Sequence, residues 1–262
     1  MMAKLHYEID GRGPHVALLH PVGLDLTFLA PVAAVLRNEF TVLCVDQRGH
    51  GKSRAWMPTH SLEDYADDLH ALFYELGFAP AAIVGFSFGG MVAQTFALKY
   101  PDDVSALVPC ACPSTLQREA RDLARSRGDD ASKQGMAAVL EATLDRWFTP
   151  QFRASGKAAA AQARLLSDNV ENWAQAWYAM AAIDTLPRLH AIRAPTLCIA
   201  GELDKSSPPV VVKTIADAIP GAHYIVLSGA PHMLFIEYPE ETARHIIEFL
   251  RTISPHRVHA ST

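Results

Sequence analysis

A serine stands between two glycines in the segment Gly85-Phe86-Ser87-Phe88-Gly89, and this spacing is typical of a reactive nucleophile. A strand-like apolar run precedes the segment and a helical pattern follows it. A tight turn at this junction lifts the Ser87 hydroxyl above the sheet edge, and side chains at Gly85 or Gly89 would clash across it. The amides of the following helix point to where negative charge develops in acyl transfer. The segment therefore predicts a nucleophilic serine, and an ordinary glycine-rich turn is the alternative.

A nucleophilic serine needs a base, and the base needs a carboxylate that orients it. Asp204 follows the apolar run 196–200, and His232 follows the next strand-like run. Both are expected at the sheet edge that carries Ser87, in the chain order serine, acid, histidine. We predict a triad of Ser87, Asp204 and His232. Glu202, two residues before Asp204, is the rival acid.

Two backbone amides are expected to stabilise the oxyanion that the serine's attack creates. One belongs to Phe88, the residue after the nucleophile. The other belongs to Val22, in the loop 20–23 that follows the strand-like run 16–19. Proline at position 21 is tolerable there, because its own missing N–H is not the one required. An ordinary loop after a strand is the alternative.

Short apolar runs alternate with helical patterns over most of the chain. Buried strands are predicted at 16–19, 41–45, 82–84, 104–110, 196–200 and 224–227. Helices are predicted at 61–76, 91–100, 208–219 and 239–253. This alternation predicts an α/β fold with a mostly parallel central sheet flanked by helices.

The pattern changes between residues 113 and 189, where helical spacing continues without a strand signal. We expect an inserted helical cap there. Trp173 and Trp177 share one helix face in this stretch, a spacing more often found in a core than in a pocket. Its arginines at 118, 121, 125 and 127 are expected to form a solvated helix face; a rim that attracts a carboxylate-bearing lactone is the alternative. The predicted division is a core at 1–112 and 190–253, a cap at 113–189 and a C-terminal tail at 254–262.

Composition limits the class of protein. The chain has 262 residues, of which 50% are hydrophobic and 19% charged, which excludes a disordered protein. The formal net charge of −5 offers no basic field, so neither nucleic acid nor a membrane is expected as a partner. Four scattered cysteines predict buried free thiols in a reducing compartment. With neither a signal-peptide pattern nor an apolar run of membrane-spanning length, we expect a soluble, cytoplasmic protein.

These motifs together resemble the α/β-hydrolases, and the resemblance covers nearly the whole chain. The resemblance rests on five segments: the loop 20–23, the Ser87 segment, Gly201-Glu202-Leu203-Asp204, Pro231-His232 and Asp46-Gln47-Arg48-Gly49-His50-Gly51-Lys52-Ser53. The last segment is similar to the family's D-x-R-G-x-G-x-S loop. The resemblance implies scaffolding roles for Arg48 and His50.

Within that family the chain resembles 3-oxoadipate enol-lactone hydrolases of aromatic catabolism. The segment Arg146-Trp147-Phe148-Thr149-Pro150 is similar to a stretch of those enzymes, as is 182–184. The resemblance implies that Trp147 faces the substrate. Two departures concern the substrate and not the reaction class. Loop 20–23 resembles general HG-x-G hydrolases rather than the Asn-Ser-Leu-Gly of enol-lactonases, and Phe86 and Phe88 replace their commoner aliphatic and Met residues.

The sequence therefore predicts a serine hydrolase that cleaves a small-molecule ester or lactone through an acyl-enzyme, with 3-oxoadipate enol-lactone as the favoured substrate. Neither a metal nor an organic cofactor is implied, and homo-oligomerisation is left open. Three alternatives remain: another carboxylesterase or perhydrolase, a C–C bond hydrolase of ring-cleavage products, and a ligand-sensing protein without turnover.

Overall fold

The computed structural model of the chain describes residues 4–53 and 61–253. Its strands are β1 (Tyr7–Gly11), β2 (His15–Leu19), β3 (Thr41–Val45), β4 (Ala81–Phe86), β5 (Val104–Cys110), β6 (Leu197–Gly201) and β7 (His223–Leu227). They form one sheet in the order β1-β3-β2-β4-β5-β6-β7. Strand β1 runs antiparallel to β3, and all other neighbouring strands are parallel. The predicted mostly parallel α/β sheet is confirmed.

Helices cover this sheet, and every residue of the central strand β4 is buried. The helices of the described ranges are α1 (Ala30–Leu36), α2 (Leu62–Leu76), α3 (Phe88–Lys99), α4 (Arg118–Gln134), α5 (Met136–Trp147), α6 (Pro150–Ala154), α7 (Ala159–Leu166), α8 (Val170–Ala181), α9 (Pro209–Ala218), α10 (Leu234–Glu237) and α11 (Pro239–Ile253). Short 3₁₀ helices occur at Leu26–Leu29, Pro101–Asp103 and Leu186–Ala191.

Local sequence signals explain helix α2. The Ser61 hydroxyl accepts a hydrogen bond from the Asp64 amide, and the Asp64 carboxylate accepts one from the Ser61 amide. This reciprocal cap satisfies donors that a helix start leaves unpaired. Gly77 ends the helix in the left-handed region, at a φ of 61°.

The helical pattern between β5 and β6 forms α4 to α8, and no strand occurs there in the described residues. Its two ends meet beside α3. The Thr185 amide donates to the Ser114 carbonyl at 2.8 Å, and Gln94 of α3 bonds to both Pro113 and Thr185. The division into core and cap stays a prediction, and the predicted tail 254–262 lies outside the described residues.

The loop after β3 is held by buried polar contacts. The Asp46 carboxylate accepts hydrogen bonds from the amides of Leu26 and Lys52, both at 2.8 Å. Arg48 binds Asp68 of α2 through Nε and Nη2, at 2.5 and 2.6 Å, and both side chains are buried. Removing one member of such a buried pair costs about 3–5 kcal/mol. Arg48 therefore acts here as an anchor between this loop and α2.

Two further findings bear on the class of protein. Among the helices of residues 4–53 and 61–253, none combines the length and the apolar composition that crossing a bilayer requires. Across the same ranges, the side chains of His, Cys, Asp and Glu do not gather in threes that could hold a metal ion.

Candidate active site

Ser87 occupies a strained turn between β4 and α3. Its φ is 52° and its ψ is −112°, a conformation that side-chain-bearing residues rarely adopt. A Cβ atom at Gly85 would lie 2.2 Å from the Gly89 carbonyl oxygen, and one at Gly89 would lie 2.4 Å from the Leu19 carbonyl oxygen. The turn therefore brings backbone segments closer together than any larger residue would permit.

A continuous hydrogen-bond chain joins Ser87, His232 and Asp204. The Ser87 Oγ lies 2.9 Å from His232 Nε2, and His232 Nδ1 lies 2.8 Å from Asp204 Oδ2. A carboxylate only accepts, so Nδ1 carries the ring proton and Nε2 is free to accept the Ser87 hydroxyl. All three residues are buried, with exposed fractions of 6%, 4% and 4% respectively. The three predicted residues are thus brought together, with the proton positions that base catalysis requires.

The carboxylate of Asp204 is fixed by its own turn. Its Oδ1 accepts hydrogen bonds from the amides of Ser206 and Ser207, at 2.7 and 2.9 Å. Oδ2 is left for the imidazole. The rival acid Glu202 is exposed and accepts instead from the Gly229 amide at 2.7 Å, a contact that lowers the pKa of its carboxyl. Asp204, and not Glu202, contacts the histidine.

The ring of His20 orients the loop that carries Val22. Nδ1 lies 2.7 Å from the Pro21 carbonyl oxygen, to which it must donate, and Nε2 accepts from the Gln47 amide at 3.0 Å. Burial lowers the pKa of His20 well below its usual value, so the ring stays neutral and keeps both contacts. The Pro21 carbonyl and the Val22 amide belong to one trans peptide and point in opposite directions. The sequence prediction did not anticipate this role for the His20 ring.

The two amides predicted to form an oxyanion hole lie in adjacent turns at one sheet edge. Leu19, at the end of β2, pairs with Gly85, near the end of β4, so the turns carrying Val22 and Phe88 are neighbours. Within the described ranges, neither of these two amides donates a hydrogen bond to a protein acceptor. Unpaired amides beside a buried nucleophile are free to bind an oxygen of a substrate.

The predicted cap supplies aromatic side chains around this edge. Trp147 is 2% exposed, and its carbonyl lies against the turn of His232. Trp173 packs on the loop of Val22, since a Cβ at Gly23 would lie 2.5 Å from its ring. Trp177 crosses the Trp173 ring at 5.7 Å between centroids. A substrate contact for Trp147 stays a prediction.

Comparison with known proteins agrees with the geometry. The profile of the alpha/beta hydrolase fold matches residues 27–239, and the chain belongs to this family. It is 30% identical to the pimeloyl-[acyl-carrier protein] methyl ester esterase of Chromobacterium violaceum, over 95% of this chain and 99% of that one. It is 26% identical to 3-oxoadipate enol-lactonase 2 of Acinetobacter baylyi, over 93% and 91%.

A solved structure gives the same result. The enol-lactonase from Burkholderia xenovorans LB400 superposes with a TM-score of 0.90 at 30% identity, covering 95% of this chain and 96% of that chain. The resemblance to enol-lactonases is confirmed, beside an equal likeness to an esterase. The protein is a hydrolase enzyme of the α/β-hydrolase family.

Proposed function

We propose that this enzyme hydrolyses a small carboxylic ester or lactone through an acyl-enzyme on Ser87, with 3-oxoadipate enol-lactone as its substrate. The observation that supports this most directly is the hydrogen-bond chain from Asp204 through His232 to Ser87. The substrate assignment is supported by the likeness to two enol-lactonases.

Acylation begins when His232 Nε2 takes the Ser87 proton while Oγ attacks the substrate carbonyl. The amides of Val22 and Phe88 bind the resulting oxyanion, and each such donor is worth about 10²–10³-fold in rate. Asp204 holds the imidazole in the required tautomer and stabilises its protonated form. The bond between the carbonyl carbon and the leaving oxygen then breaks. For an ester, His232 returns the proton to the leaving oxygen; for the enol-lactone, the proton reaches the enolate oxygen or carbon, directly or through solvent.

Deacylation repeats the same steps with water. His232 removes a proton from the water that attacks the acyl-enzyme, and Ser87 leaves with its proton restored. In a lactone the leaving oxygen stays tethered to the acyl chain, so one product is released. For the enol-lactone that product is a keto acid.

A carboxylic methyl ester is the second candidate substrate. It is favoured by the full-length likeness to an esterase at 30% identity. The same triad would carry out the reaction, with methanol as the leaving group.

The test is turnover of 3-oxoadipate enol-lactone beside a short p-nitrophenyl ester, with Ser87→Ala as the blank. Ser105→Ala, an exposed serine on β5, is the matched control. Rapid, Ser87-dependent loss of the lactone with slow ester cleavage is expected. Ester cleavage without lactone turnover would discard the lactone and keep the triad. Turnover by Ser87→Ala would show that Ser87 is not the nucleophile. Absence of turnover with both substrates would favour C–C bond hydrolysis or ligand sensing.

A further inference from the structure

Two nitrogen donors in the predicted cap lack the acceptors that buried donors normally have, and a second arginine lies close to them. Arg127 of α4 lies over the ring of Trp177, with Cζ 4.7 Å from the ring centroid. Within the described ranges, Arg127 Nε and Trp177 Nε1 are both buried without a hydrogen-bond partner. Arg146 of α5 is half-buried, and its one side-chain hydrogen bond there is to Thr143 of the preceding helical turn. Unpaired buried donors are uncommon in proteins, so a bound ligand that accepts hydrogen bonds would satisfy Arg127 and Trp177.

The carboxylates near these two arginines bind other residues. Asp145, next to Arg146 in the chain, pairs with Lys205 at 3.1 Å and with Arg153 at 3.8 Å. Asp129 of α4 accepts from the Tyr178 hydroxyl at 2.6 Å. Neither Arg127 nor Arg146 forms an ion pair with any carboxylate of residues 4–53 and 61–253.

The charges of Arg127 and Arg146 therefore lie close enough to interact and neither is in a direct ion pair within the described ranges, although the charge of Asp145 partly opposes the effect of burial on Arg146. Burial, with a smaller effect of the Arg146 charge, lowers the pKa of Arg127 to about 10. Burial also lowers the pKa of Arg146. Like charges in a partly desolvated place are costly unless an anion binds to both.

The group is connected to both sides of the Ser87 turn. On one side, Trp177 contacts Trp173, whose ring packs against Gly23 in the loop of Val22. The Trp173 indole also donates to the Arg127 carbonyl at 3.4 Å. On the other side, Arg146 immediately precedes Trp147, whose carbonyl accepts from the residue after His232. The donors are thus linked, through Trp173 and Trp147, to the loop of Val22 and to the turn of His232.

We infer that Arg127, Arg146 and the Trp177 indole form a binding site for a carboxylate on the acyl chain of the substrate. The preferred substrates are then half-esters or lactones of short dicarboxylic acids, rather than neutral esters. A guanidinium presents parallel N–H groups that match a carboxylate, and the indole supplies a further donor. The inference rests on the proposed function for the bond that is cleaved, but carboxylate binding can be measured without turnover.

The first experiment compares kcat/KM for monomethyl adipate with kcat/KM for methyl hexanoate, a neutral ester of the same chain length. The ratio of the two values is expected to favour the half-ester strongly in the wild type. Arg127→Gln or Arg146→Gln should lower this ratio by about 10- to 100-fold, mainly through KM, because a charge-assisted hydrogen bond is lost. Arg127→Lys keeps the charge and should retain part of the preference.

The matched control is Arg125→Gln, on the same helix but exposed to solvent. Its ratio should stay within about twofold of the wild type, since exposed charges contribute little. An equal effect of Arg125→Gln and Arg127→Gln would overturn the site, because a general field of α4 would then explain the preference. So would an unchanged ratio in the Arg127→Gln, Arg146→Gln double variant.

A second measurement separates this inference from the proposed function. Binding of adipate to the Ser87→Ala variant is followed by tryptophan fluorescence and calorimetry, with hexanamide as the neutral probe. Adipate is expected to bind more tightly, and adding Arg127→Gln should weaken its binding about 10-fold. If adipate binds as expected but the wild type hydrolyses neither esters nor lactones, the proposed reaction is rejected and the carboxylate site is retained. Equal binding of both probes would overturn the site whatever the turnover.

Discussion

The carbonyl oxygen of Trp147 accepts a 3.0 Å hydrogen bond from the amide of Met233, the residue that follows His232. A second tie lies close by, where the amide and hydroxyl of Thr149 both donate to the Glu237 carboxylate at 2.8 Å. Burial raises the pKa of Glu237 against the effect of these two donors. The end of α5 is therefore tied by hydrogen bonds to the turn of the triad histidine and to the helix that follows it.

Replacing Asp204 by Asn should lower kcat by about 10⁴-fold, as in serine proteases that use the same arrangement. The amide no longer enforces the tautomer in which His232 Nε2 accepts from Ser87. Steady-state kinetics on the best ester or lactone measures the loss, and circular dichroism checks that the variant is folded.

Glu202→Gln is the matched control for that substitution, because it neutralises an exposed carboxylate two residues away. Its kcat should stay within a few fold of wild type, since Glu202 contacts Ser228 and Gly229 rather than the histidine. A large loss in Glu202→Gln with little loss in Asp204→Asn would exchange their roles.

Replacing His20 by Ala should release the peptide that carries the Val22 amide. We expect kcat to fall by about 10²-fold with a smaller change in KM, because an oxyanion donor acts mainly in the transition state. Asn at position 20 can still donate to the Pro21 carbonyl. His20→Asn should therefore recover much of the rate; recovery no better than with Ala would show that the ring acts in another way.

Replacing Gly89 by Ala should destabilise the fold by about 3 kcal/mol or more, because the new methyl group would meet backbone 2.4 Å away. Gly156→Ala is the comparison, with a φ of 78° but nothing within 4 Å of its Cβ. That substitution carries only the left-handed conformational cost, about 1–2 kcal/mol. Urea unfolding of both variants measures the difference, and equal losses would contradict the close approach at Gly89.

The four cysteines should resist thiol reagents in the native state. All are free and buried, and burial raises the pKa of Cys44 and of Cys198 to about 12. At pH 8 the native protein should leave a disulfide reagent almost unreacted, whereas the unfolded protein should consume four equivalents. A raised pKa also means that stability falls as pH rises above about 9, where only the unfolded thiols ionise. Rapid native labelling would contradict their burial.

Strong local signals made most of the core predictable. The apolar runs of β2 to β6 stand out in the sequence because these strands are buried, and β7 was predicted from its apolar run although it is a partly exposed edge strand. Strand β1 was missed because polar residues interrupt its apolar pattern and Ile9 is 43% exposed. Helix α1 was also missed, because it is only seven residues long. Helix α3 begins at Phe88 rather than at the predicted residue 91, since Gly89 and Gly90 give a turn-like pattern.

The catalytic candidates were predictable for a different reason. Ser87, Asp204 and His232 each follow a strand, and parallel strands bring their carboxyl ends to one edge. The ring contacts of His20 and the unpaired donors at Arg127 depend on packing between segments far apart in the chain. Such contacts leave no spacing pattern in the sequence.

The hydrogen bond between Ser87 and His232 spans 145 residues. During synthesis on the ribosome, the serine turn between β4 and α3 is made long before β6, β7 and the histidine turn exist. A nascent or truncated chain that ends before residue 232 therefore carries the serine without its proton acceptor. Hydrolytic competence therefore requires that β6, β7 and the histidine turn have been made and have docked on the sheet.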